Sequence, residues 1–85
     1  MAHEIRYKAS VERELGKLPK DAARRVLDAI HVKLGNDPRA GRPLKGGLRG
    51  LYRLRVGDYR VVYSFLADEE AVLVLKIADR KDAYR

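Results

Sequence analysis

Apolar and polar positions recur with two different periods along this 85-residue chain, and the change of period divides it into a helical and a stranded half. Ile5 and Tyr7 alternate with Arg6 and Lys8, which predicts a short strand over residues 5–8. Ser10 is placed to cap a first helix whose opening turn carries Glu12 and Glu14 and whose apolar face is Val11, Leu15 and Leu18. Pro19 breaks that helix and suits the start of a second, with Ala23, Val26, Leu27, Ile30 and Leu34 as its stripe, Gly35 as its stop and Pro38 beyond. The result is an αα-hairpin in need of a sheet to cover.

The sheet follows from the period-two half. Gly57-Asp58 is a two-residue connection flanked by Val56 and Tyr59, the strongest short-range signal for a β-hairpin. With that turn at the tip, Val56 faces Tyr59, Arg55 faces Arg60 and Leu54 faces Val61. Tyr52, Leu54, Val56, Tyr59, Val61, Tyr63 and Phe65 share one face, and Arg53, Arg55 and Arg60 fall on the other. Residues 36–49 form a Gly/Pro/Arg loop without apolar periodicity, in which Leu44 and Leu48 are candidate anchors. After a turn at residues 67–70, AVLVLKIA reads as a last strand. An odd-length turn would put Leu73, Leu75 and Ile77 on the apolar face and Lys76 and Arg80 with the arginines. These elements predict one α+β domain over residues 1–85, in two layers: a strand, an αα-hairpin, then antiparallel strands.

Composition removes several function classes. The chain has no cysteine, which excludes a disulfide scaffold and a thiolate zinc site. It contains no apolar run long enough to span a bilayer and no secretion signal at its N-terminus, so a cytoplasmic protein without a membrane partner is expected. The net charge of +7 is concentrated: residues 39–60 carry Arg39, Arg42, Lys45, Arg49, Arg53, Arg55 and Arg60 against Asp58 alone. A surface of that kind suits polyanions.

Two arginines directly opposed on a ladder repel one another, so the Arg55/Arg60 pair is costly unless an anion lies between them. Guanidinium forks fit phosphate oxygens and stabilise extra negative charge as a phosphodiester is attacked. They remain protonated, so proton transfer must fall to another group, with Tyr84, Lys76, Asp79 and a nucleotide's own functional groups the candidates near this face. His3 and His31 stand apart and read as strand-end and helix-surface residues, which speaks against a paired-histidine ribonuclease. Glu12 with Glu14, and Asp68-Glu69-Glu70, read as helix-start and turn acids, not metal ligands; Gly46-Gly47 leads into a strand and makes no phosphate loop. Tyr52, Tyr59 and Tyr63 lie on the apolar face and read as core, not as a base-stacking platform.

The segments LYRLR, YRVVY and the closing RKDAY, within DPRAGRPLKGGLRGLYRLRVGDYRVVYSF and VLVLKIADRKDAYR, resemble the RelE/ParE toxin superfamily of toxin–antitoxin systems. The resemblance spans the chain. It implies a RelE-like fold with the first strand beside the last. It also implies a RelB-like cognate antitoxin that wraps the toxin, and operator DNA bound only through the antitoxin complex. RelE-type members cleave mRNA in the ribosomal decoding site without metal or cofactor, the RNA 2′-hydroxyl attacking the adjacent phosphate.

Carried over by position, the catalytic set implied by the resemblance is Arg53, Arg55, Arg60, Arg80 and Tyr84. The remaining basic side chains, Arg39, Arg42, Lys45, Arg49, Lys76 and Lys81, are expected as further RNA-binding residues. The chain departs from some cleaving members in having arginine, not lysine, at Arg53 and Arg55. It has Asp79 where many relatives have histidine, and it is expected to lack their additional C-terminal helix. Three functions stay open on the sequence: a ribosome-dependent mRNA interferase, a ParE-like DNA gyrase inhibitor without nuclease activity, and a non-enzymatic RNA-binding module.

Overall fold

The protein is described by a computed structural model covering residues 3–44 and 50–79. Its sheet has five strands, β1 (Glu4–Tyr7), β2 (Arg42–Pro43), β3 (Leu51–Val56), β4 (Tyr59–Leu66) and β5 (Ala71–Asp79), in the order β1-β5-β4-β3-β2. β1 runs parallel to β5 and the other pairs are antiparallel. Helices α1 (Ala9–Gly16) and α2 (Lys20–Ala29) cover one face, α1 against β5 and α2 against β3. The predicted two-layer α+β arrangement and the neighbouring first and last strands are both present.

The hairpin turns as its sequence requires. Gly57 takes a left-handed φ of 58°, and Val56↔Tyr59, Arg55↔Arg60 and Leu54↔Val61 pair across β3 and β4. Leu54, Val61 and Tyr63 are buried beneath the helices, with Tyr52, Val56, Tyr59 and Phe65 packed around them.

Several elements differ from the sequence reading, each for a physical reason. Ser10 does not cap α1. The Lys8 amide still bonds to Val74 O at 3.0 Å in the β1–β5 ladder, so the helix opens directly at Ala9 and Ser10 is already one residue inside it. The second helix does not stop at Gly35: a π-turn (Ile30–Leu34) continues α2, and helical backbone runs through Gly35, φ −64°, to Asn36. The fully buried stripe is Ala22, Val26, Ile30 and Leu34, while Ala23 and Leu27 are only half-buried. Four residues advance about 40° beyond a full α-helical turn, and the wider π-turn offsets that drift, keeping Ile30 and Leu34 both on the sheet. Residues 36–49 are not wholly a loop, because Arg42 and Pro43 pair with Arg53 and Tyr52 as an edge strand. Leu44 N–H donates to Leu51 O at 2.9 Å, so Pro43 occupies the alternate position whose missing donor would face solvent.

The last strand carries the largest correction. Leu66 pairs with Ala71, so the intervening turn has four residues, an even number, and Val72 and Val74 enter the core in place of Leu73 and Leu75. A β-bulge then intervenes: Val62 pairs with Lys76 but Tyr63 with Val74, which leaves Leu75 as the extra residue. That single insertion restores the expected phase, burying Ile77 and returning Lys76 to the outer face. Beyond the end of β1, the Ile77 amide donates to Glu14 Oε1 at 3.2 Å. Glu14 is thus a tie between α1 and β5, not a helix-start acid. No helix among the described residues is long and apolar enough to cross a membrane.

Candidate nucleic-acid interface

The sheet face opposite the helices gathers the cations in two ladder rows. One row runs Arg42, Arg53, Val62, Lys76 across β2, β3, β4 and β5; the next runs Arg55, Arg60, Ala78. Rows on one face lie about 7 Å apart and neighbouring strands about 4.8 Å apart, so the guanidinium stems converge on a small area. Between them opens a cleft of about 400 Å³ lined by Ala40, Gly41 and Arg42 on the β2 side and by Arg53, Leu54, Arg55 and Arg60 on the hairpin side. Arg53 and Arg60 are half-buried and Arg42 and Arg55 exposed, which leaves their charged ends reachable from solvent.

Charge in the cleft is unbalanced. Among the described residues Arg42, Arg53 and Arg55 have no carboxylate partner, whereas Arg6 at the far edge of the same face has two. Lys76 belongs to the basic face but stands beyond Val62 and does not line the cleft. Arg39 is exposed on the preceding turn, its amide bonded to Asp37 Oδ1 at 3.0 Å, and does not line the cleft either. Asp79 is opposite Tyr59, in the register of the helix-facing residues and out of phase with Lys76 and Ala78, so it does not join the arginine rows. Lys45, Arg49, Arg80, Lys81 and Tyr84 lie outside the described residues.

The histidines are structural ties away from this face. His3 Nδ1 lies 3.3 Å from Gly35 O and donates to it in the tautomer that carries its proton there, and the ring meets Phe65 edge-on at 5.6 Å. His31 Nε2 lies 3.2 Å from the Tyr7 hydroxyl. Burial pushes the Tyr7 phenol above its usual range, so it remains protonated.

Sequence reasoning missed the residues that build the lip of the cleft. Tyr63 is fully buried and its ring stacks on Tyr52 at 5.5 Å. Its hydroxyl donates to Pro38 O at 2.8 Å and accepts the Gly41 amide at 3.0 Å. Burial raises the Tyr63 pKa, partly offset by the Gly41 amide, so the group stays a neutral donor. The available signal was a core tyrosine whose hydroxyl needs a partner, together with a glycine in an arginine-rich loop.

The geometry accords with what the chain is similar to. The family model for the ParE toxin of type II toxin–antitoxin systems, parDE, matches residues 5–84. The chain is 36% identical over 84 residues to Toxin RelE of Mycobacterium tuberculosis, covering 98% of this chain and 87% of that protein. It is 31% identical over 86 residues to Toxin RelG of the same organism, covering 100% and 99%. Among solved structures, a chain of the toxin–antitoxin complex RelBE2 from M. tuberculosis superposes with a TM-score of 0.87 at 28% identity, over 94% of this chain and 93% of that one. The isolated RelE toxin of E. coli superposes with a TM-score of 0.78 over 92% and 84%, at 21% identity a likeness of fold alone.

Proposed function

The chain belongs to the ParE toxin family of type II toxin–antitoxin systems, as a toxin of RelE type, and we propose that it acts as a metal-independent, ribosome-dependent mRNA interferase. Its partner is a cognate RelB-like antitoxin, in keeping with the RelB–RelE complexes among its structural neighbours. Ribosome and mRNA are the proposed targets, and operator DNA is reached through the antitoxin complex.

The observation that supports this reading is the cleft itself: Arg42, Arg53, Arg55 and Arg60 surround it, and the first three have no carboxylate partner among the described residues. In the proposed reaction the RNA 2′-oxygen forms a bond to the adjacent phosphorus. The bond from phosphorus to the 5′-oxygen breaks, and that oxygen leaves as a hydroxyl after gaining a proton. Negative charge builds on the non-bridging oxygens, where fixed guanidinium forks are most effective. Removal of the 2′ proton needs a group other than arginine. Lys76 is the candidate on the described face; Tyr84 and Arg80, carried over from the resemblance, complete the proposed set.

A second reading is inhibition of DNA gyrase, favoured by the match to a ParE family model. In vitro translation with primer extension on the mRNA, run beside a gyrase supercoiling assay, separates the two. The expected result is discrete mRNA cuts that require ribosomes, with supercoiling untouched. Blocked supercoiling with intact mRNA would transfer the function to gyrase.

A further inference from the structure

We propose that the Tyr63 hydroxyl is a positioning group that holds Arg42 as the outer wall of the cleft, where Arg42 contacts a substrate phosphate; this rests on the RNA-cleavage reading. A phenylalanine would fill the core position beside Tyr52 nearly as well. The hydroxyl's partners are instead the lip, since Pro38 O and the Gly41 amide both bond to it, at 2.8 and 3.0 Å. One buried oxygen therefore closes the arc from residue 38 to residue 41 immediately before Arg42.

The lip is also seated sterically. A Cβ on Gly41 would lie 2.5 Å from Arg53 O and 2.6 Å from the Tyr63 hydroxyl, closer than any side chain tolerates, so only glycine admits this approach. The lip leads into β2, a strand of two residues that is too short to fix its own position and that sets Arg42 directly opposite Arg53. Two like charges across a ladder push the strands apart. The Tyr63 bonds oppose that repulsion and keep Ala40, Gly41 and Arg42 facing Arg53, Arg55 and Arg60 across the cleft.

The test uses the full chain and a mixed-sequence oligoribonucleotide, with affinity measured across a range of salt. Each single-strand phosphate contact contributes about 0.7 to the slope of log affinity against log salt. Arg42→Ala is expected to reduce that slope by about 0.7. Tyr63→Phe should lose most of the same increment while still unfolding cooperatively, and the double variant should lose no more than Arg42→Ala alone. If Tyr63→Phe does not fold, Gly41→Ala, which displaces the lip with the hydroxyl intact, is expected to show the same loss. Wild-type slope and affinity in Tyr63→Phe, with only a lower melting temperature, overturn the positioning role. An unchanged slope in Arg42→Ala overturns the phosphate contact while leaving the RNA reading in place. A wild-type protein that binds no oligoribonucleotide overturns the Arg42 contact, and ribosome-dependent primer extension then decides the cleavage reading separately.

Discussion

Arginines at the two ends of one sheet face are treated in opposite ways. At the β1 edge, Arg6 bonds Glu4 Oε2 at 2.9 Å and Glu69 Oε1 at 3.2 Å, and these hydrogen bonds push its pKa further above the usual arginine value. At the β2–β3 end, Arg42, Arg53 and Arg55 share a small area without a carboxylate partner among the described residues. The fold thus has the means to neutralise an arginine on this face, with a glutamate two residues away on the same strand, and uses it at Arg6, which does not line the cleft. Where the cleft exists, like charges are packed across the ladder against their own repulsion. We read the second group as directed at an anionic ligand, in keeping with the proposed function.

The largest effect should come from emptying the cleft. Arg55 is exposed, faces Arg60 and lines the cleft, so Arg55→Ala is expected to leave stability within about 0.5 kcal/mol. Ribosome-dependent cleavage should fall 10²–10³-fold, roughly 2.7–4 kcal/mol of lost stabilisation of developing charge. Thermal melting and primer extension on the same preparation check the pair. Loss of stability in step with activity would make Arg55 structural and erase the contrast with Arg6.

How much of this was legible in the chain depends on the range of each interaction. Gly57-Asp58 fixes the register of β3 and β4 locally, so the Arg55/Arg60 opposition and the burial of Leu54, Val61 and Tyr63 could be read directly. The phase of β5 could not, because it depends on the length of the turn before it and on a bulge that arises only when β5 meets β4. Two errors of one residue cancelled: the even turn put Val72 and Val74 inside, and the extra residue Leu75 brought Lys76 and Ile77 back to their expected faces. The lip was hidden for a related reason. A strand of two residues has no periodicity, and the bonds from Tyr63 to Pro38 and Gly41 span more than twenty residues of sequence. Arg42 was visible as charge, but its place opposite Arg53 was not.

A smaller effect should come from building the β1 arrangement into the basic end. Val62 stands between Arg53 and Lys76 in the first row, half-buried on the outer face. Val62→Glu places a carboxylate against two cations, as Glu4 and Glu69 stand against Arg6. RNA affinity is expected to drop about tenfold near physiological salt, with the salt slope reduced by about 0.7–1.4, the share of one or two phosphates. Val62→Gln is the control for shape and strand preference, which amount to no more than about 1 kcal/mol. Equal losses in both variants would assign the effect to packing instead of charge.

The smallest effect is expected at Arg6, and it is the one that separates location from total charge. Arg6→Ala removes one positive charge from the chain, the same change in net charge as Arg55→Ala. It also breaks two exposed ion pairs, whose side chains are 41% to 59% accessible to solvent, so solvent screening keeps their contribution small. The melting temperature should therefore fall by no more than a few degrees. The decrease should shrink at high salt, where the pairs are already screened. Oligoribonucleotide affinity should stay within about twofold of wild type, with an unchanged salt slope, because no phosphate contact has been lost. A slope that falls by the same increment as in Arg42→Ala would mean that the whole sheet face binds RNA as a diffuse positive surface. In that event the arginine cleft would lose its special standing, since the pairing that quiets Arg6 would have made no difference to what binds.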